Sequence, residues 1–162
     1  MPDTYRFLHV LFAFAWFAAV FAAHWNTLRA RRTPDWSARA ALFDANRAMS
    51  AMVGLPALLA LGVVGNLYGM QMGYSMKTTF SFMLANGLWT LVVLATLVVE
   101  IPAAGALGAL SHAGAQAAAQ GAPAEPAGWG RELGRWRAAN AVQLLGFLVL
   151  LALMIAPWTK AN

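Results

Sequence analysis

Between Arg6 and Arg29 the chain carries no charged side chain. A run of about twenty mostly apolar residues, rising ~1.5 Å per residue as a helix, crosses a hydrocarbon core of about 30 Å. Three later runs have the same character, so the pattern predicts spans over about 6–28, 48–69, 79–101 and 138–158. The expected fold is all-α: a single membrane domain, 1–162, forming an integral membrane four-helix antiparallel bundle. Composition agrees. With 60% apolar and only 10% charged residues, a soluble domain could not cover itself.

The chain has no cysteine, which excludes disulfides, zinc–thiolate sites and thiol chemistry. Its net charge of +5 lies in the connections and reads as membrane orientation rather than a nucleic-acid surface. Segments 29–47 and 131–137 hold eight of the eleven basic residues, while Arg6, Lys77 and Lys160 fall on the other side. Basic connections face the cytoplasm. The expectation is therefore a multi-pass protein of a bacterial inner (plasma) membrane with both termini outside. The first run is too long, and too closely followed by arginines, for a cleaved signal peptide, and is expected to be a retained helix. Tyr5, Tyr68, Tyr74 and Trp158 would form an outer aromatic belt, and Trp25, Trp129 and Trp136 an inner one.

Asp35–Met49 reads either as an interfacial helix, with Trp36, Leu42 and Phe43 toward lipid and Arg39 and Arg47 toward water, or as a polar connection. Pro56 lacks an N–H and predicts a kink in the second span. Gly65, Gly69 and Gly73 recur every four residues, which suits either close helix approach or a helix end. The Ala/Gly/Pro-rich stretch 103–130 reads as a flexible loop whose first part can prolong the third helix.

His9 and Trp16, seven residues apart, share one helix face that Ala13, Val20 and Ala23 continue. Phe7, Phe14, Phe17 and Phe21 form the opposite, lipid-suited stripe. An ionisable ring facing a bundle interior is a candidate ligand site; the alternative is a boundary histidine in reach of water. At the depth of His9 lie Met70, Met72, Met76, Met83 and Met154. Imidazole with thioether sulfur is a ligand set for Cu(I). The same groups suit haem b held between helices, with His9 paired to Met83 or Met154 and Trp16 beside the ring. Methionine is also an ordinary gap-filler of apolar cores. His24 sits ~22 Å further along the helix, and no other span offers a histidine at either depth, so a bis-histidine haem has little support. His112 reads as a loop residue, and Glu100 as a partner for Arg29, Arg31 or His24. No catalytic triad, phosphate-binding loop, carboxylate dyad or metal-hydrolase motif is present, so no enzymatic activity is expected.

Leu8-His9-Val10 followed by Trp16 resembles the opening helix of the CopD-like and DUF2269 groups of four-helix membrane proteins. The segment His9 to Ala18 is also similar to the first helix of HemJ-type proteins, although the later lysine- and histidine-containing helices of that group have no counterpart here. Arg135-Trp136-Arg137, followed by the apolar run to Pro157, is similar to the DUF2269 ending. The resemblance implies a membrane bundle holding copper or haem b through His9. The expected function is a small non-enzymatic protein handling a metal at its outer face, with Cu(I) favoured. The alternatives are a haem b redox protein, or a structural accessory subunit with no ligand. Expected partners are the lipid bilayer and either further copies of the chain or a larger membrane complex, with no nucleic acid.

Overall fold

The computed structural model describes residues 2–77, 79–122 and 125–155, and among them there is no strand. Helix α1 runs Pro2–Arg32. Helices α2 (Trp36–Met49) and α3 (Leu55–Gln71) form a second continuous rod, joined by a π-helical turn over Ser50–Gly54. Helices α4 (Phe80–Ala95) and α5 (Ile101–Ala119) form a third, joined by a π-helical turn over Thr96–Glu100. Helix α6, Trp129–Ile155, completes the bundle. All four rods are long and apolar enough to cross a membrane.

Neighbouring rods run antiparallel, as pairs of side-chain bonds show. His9 reaches Leu61 while Asn26 reaches Asn46; Asn66 reaches Asn86 while Ser50 reaches Glu100; Trp16 reaches Gln143 while His24 reaches Asn140.

Both wide turns sit just before a proline. Pro56 and Pro102 have no N–H for the carbonyl four residues back. The residue before each bonds five back instead: Leu55 N–H to Ser50 O, and Ile101 N–H to Thr96 O. The irregularity expected at Pro56 is thus a π turn, and Pro102 does not end the third rod.

That rod continues to Ala119, which corrects the expected loop over 103–130. Alanine is the best helix former, and this stretch also buries a strip: Ala103, Ala104, Leu107, Gly108, Ser111 and Gly114. The strip receives α2. A Cβ on Gly114 would lie 2.7 Å from Cδ2 of Trp36, so only glycine admits the indole there. The connection proper spans only 120–128.

Helix α2 is accordingly neither interfacial nor a polar connection. Phe43 is fully buried, with Trp36 and Leu42 packed around the same cluster, and the Arg39 guanidinium lies 4.2 Å from the Trp36 ring centroid. Trp129 and Trp136 belong to this cluster as well, not to an aromatic belt. Trp158 lies outside the described residues. A second apolar cluster, built on Trp16, Val20, Leu58, Leu61 and Val92, fills the half of the bundle nearer the N-terminus.

Candidate functional site

A glycine strip on α3 shapes that second half. A Cβ on Gly65 would lie 2.6 Å from Cε1 of His9, and one on Gly69 would lie 2.5 Å from Cε2 of Phe82. A Cβ on Gly62 would overlap the Trp89 indole. Side chains from α1 and α4 therefore reach the α3 backbone itself. Trp89 Nε1 donates to Leu58 O at 2.8 Å, and His9 Nδ1 lies 3.1 Å from Leu61 O. Gly73, the third glycine noted in the sequence, does something else: it turns the chain after α3 with φ +79°.

The carbonyl of Leu61 can only accept, so Nδ1 carries the hydrogen of that bond. Nε2 is the remaining ring nitrogen, and it makes no hydrogen bond among the described residues. A backbone carbonyl on Nδ1 is the usual device for fixing the tautomer and orientation of a ligating histidine.

His9 lines a cavity of about 460 Å³, together with Arg6, Trp16, Asn66, Met72 and Phe147. That volume falls within the range of about 300–1,000 Å³ typical of small-molecule sites. Its walls are mainly apolar, and the polar groups in them are tied down. Asn66 Nδ2 donates to Asn86 Oδ1 at 2.7 Å and to Gly62 O at 2.9 Å, and Asn86 Nδ2 donates to Phe82 O at 2.9 Å. Trp16 is 1% exposed and donates from Nε1 to Gln143 Oε1 at 3.4 Å.

The candidate ligands divide. Met72 shares the cavity with His9, but Met70 and Met76 line a separate depression against Tyr74 and Phe82. Met83 is exposed on α4 and lines neither, and the Met154 side chain lies outside the described residues. Among the described residues no group of three His, Cys, Asp or Glu side chains could hold a metal. His9 and Trp16 do meet, across one cavity.

The phenylalanine stripe faces outward at Phe7, Phe14 and Phe21, whereas Phe17 stacks on Phe147 with centroids 4.3 Å apart. His24 bonds Asn140 at 2.9 Å. His112 lies on α5 rather than in a loop, with Nε2 2.8 Å from Asp44 Oδ2. Glu100 does not pair with Arg29, Arg31 or His24. It turns into the bundle, where Ser50 and Gln143 donate to it, while Arg29 and Arg31 lie exposed in the last turn of α1.

Sequence reasoning passed over Ser50, Asn66 and Gly62, and noted Asn86 and Gln143 only as residues within spans. Their common signal is a polar or minimal side chain inside an apolar run. No family model, curated protein or solved structure matches this chain.

Proposed function

We propose that this protein binds haem b in the His9 cavity, as a membrane haem-carrying or redox protein. The observation that carries the reading is His9 itself. Its Nδ1 is anchored on a backbone carbonyl, its Nε2 is uncommitted, and it lines an apolar cavity of ligand size. Nε2 would hold the iron, Trp16 and Phe147 would flank the macrocycle, and Arg6 supplies a cation suited to a propionate. Bound there, haem supplies one-electron exchange; the chain's share is to orient His9 and keep water away. The likeness of the first helix to haem- and copper-handling families points the same way. The eight-to-three division of basic residues supports an inner-membrane protein with both termini outside, which puts this cavity at the outer face.

Cu(I) is the second reading, favoured by the one thioether, Met72, that shares the cavity with His9. Adding haem, and separately Cu(I), to detergent-purified protein decides between them. Haem binding should give a Soret band that His9→Ala abolishes and that a Met70→Leu/Met76→Leu double variant retains. Stoichiometric copper with no Soret band would replace the haem reading with the copper one. Uptake of neither would leave the accessory-subunit reading.

A further inference from the structure

Glu100 is 1% exposed, sits midway along the third apolar rod and forms no ion pair among the described residues. Its hydrogen bonds define what it can hold. An indole N–H only donates, so Trp16 fixes Gln143 with Oε1 toward the indole and its amide NH2 toward Glu100 Oε2. Glu100 Oε1 lies 2.9 Å from Ser50 Oγ, and a hydroxyl can donate or accept. Oε2 is therefore always an acceptor, while Oε1 can carry a hydrogen and give it to Ser50. A carboxylate in such a place, with no cation beside it, is costly, and a proton on Oε1 removes the charge without any further ligand.

We propose that Glu100 and Ser50 form an exchangeable proton-binding site within the bundle. On uptake, an O–H bond forms at Oε1, the proton coming from hydronium, and Ser50 turns from donor to acceptor. On release, the proton returns to water and Ser50 turns back. Gln143 and Trp16 keep their orientation throughout.

Two further observations bear on exchange. Ser50 opens one π turn and Glu100 closes the other, and such turns recur where a helix carries function. On α6, Trp136, Asn140 and Gln143 stand at i, i+4 and i+7, a stripe of one helix face leading from the basic end of the bundle to Glu100. Trp136 and Asn140 are 1% and 2% exposed, and Trp136 Nε1 and Asn140 Nδ2 have no partner among the described residues. Two buried donors facing no acceptor mark the places where water would enter. The other titratable groups on the surrounding elements are His24 on α1, Asp44 and Arg47 on α2, His112 on α5, and Glu132, Arg135 and Arg137 on α6. None of them bonds Glu100. His24 is held by Asn140, His112 by Asp44, and Glu132 by Arg131 and Arg135.

Infrared spectroscopy of the full chain in detergent, titrated through pH without any cofactor, tests this independently of the His9 cavity. A carboxylic-acid C=O band should be present, disappear reversibly on alkalinisation and shift in D2O. Glu100→Gln should remove it, and Ser50→Ala should move its frequency. A wild-type band with those reversible changes, shifted by Ser50→Ala, supports the proposal even where Glu100→Gln fails to fold. Three results would overturn it: no band that titrates, a band untouched by D2O because the proton is trapped, or a band displaced by sodium at fixed pH because the site takes a metal cation instead.

Discussion

The two halves of the bundle use polar side chains in opposite ways. In the half nearer the N-terminus, His9, Trp89 and Asn66 bond to backbone carbonyls of α3, and a cavity remains between them. In the other half, polar side chains bond to one another: Asn26 to Asn46, Asn46 to Thr27, His24 to Asn140, and Ser50 and Gln143 to Glu100. A side chain that spends one hydrogen bond on a backbone keeps a second polar atom for a ligand. Side chains that close on each other fix the depth at which helices meet. The first half is built to receive something, and the second to hold its register.

The contrast is open to attack through substitutions of graded effect. Phe43→Ala should do the most damage. The ring is fully buried and packs edge-on against Trp129, with centroids 5.3 Å apart, so truncation should cost about 3–5 kcal/mol. Thermal unfolding in detergent measures it; a loss below about 1 kcal/mol would mean that the α2–α5 half is not a packed core. Gln143→Leu should come next, at about 1–3 kcal/mol, because it leaves the Trp16 N–H and the Glu100 carboxyl without their shared partner. The same variant should leave haem uptake largely intact if the halves are separable.

Gly65 and Gly87 then form a pair with opposite signs. Alanine at 65 collides with His9 and should destabilise by about 1 kcal/mol or more while lowering ligand uptake. Alanine at 87 meets nothing within 4 Å and should stabilise by up to about 1 kcal/mol through helix propensity. Equal effects at both sites would remove the case for a His9 cradle.

The rods, their antiparallel order and the His9–Trp16 face were legible because they follow from uncharged length and helical spacing. The α5 helix was not. Its alanines and glycines read as a linker until Phe43 and Trp36 are seen to fill the strip they leave, which is a long-range fact. The methionines were misleading for a related reason. Sequence places Met70, Met72 and Met76 at one depth, but the turn at Gly73 sends Met72 to the cavity and Met70 and Met76 elsewhere. Depth is one coordinate, and coordination needs three. Glu100 stood out in the sequence as a carboxylate at the end of an apolar run. Its partners did not, because Ser50 is 50 residues away and Gln143 is 43 away.

The smallest effect belongs to His112→Ala. Its ring bridges α5 to α2 through Asp44 at 2.8 Å, but the two side chains are 59% and 54% exposed. An exposed pair of this kind contributes about 0–1 kcal/mol, because water competes for both partners and ordering them costs entropy. Alanine is meanwhile a better helix former than histidine by roughly half a kcal/mol in the interior of a helix such as α5. The two terms oppose and should leave the unfolding temperature almost unchanged, at low and at high salt alike. The α2–α5 contact is expected to rest on Phe43, Leu107 and the glycine strip beneath them, not on the polar clasp at its edge. A loss of more than about 2 kcal/mol in His112→Ala, relieved in Asp44→Ala/His112→Ala, would show instead that the clasp holds α5 in place.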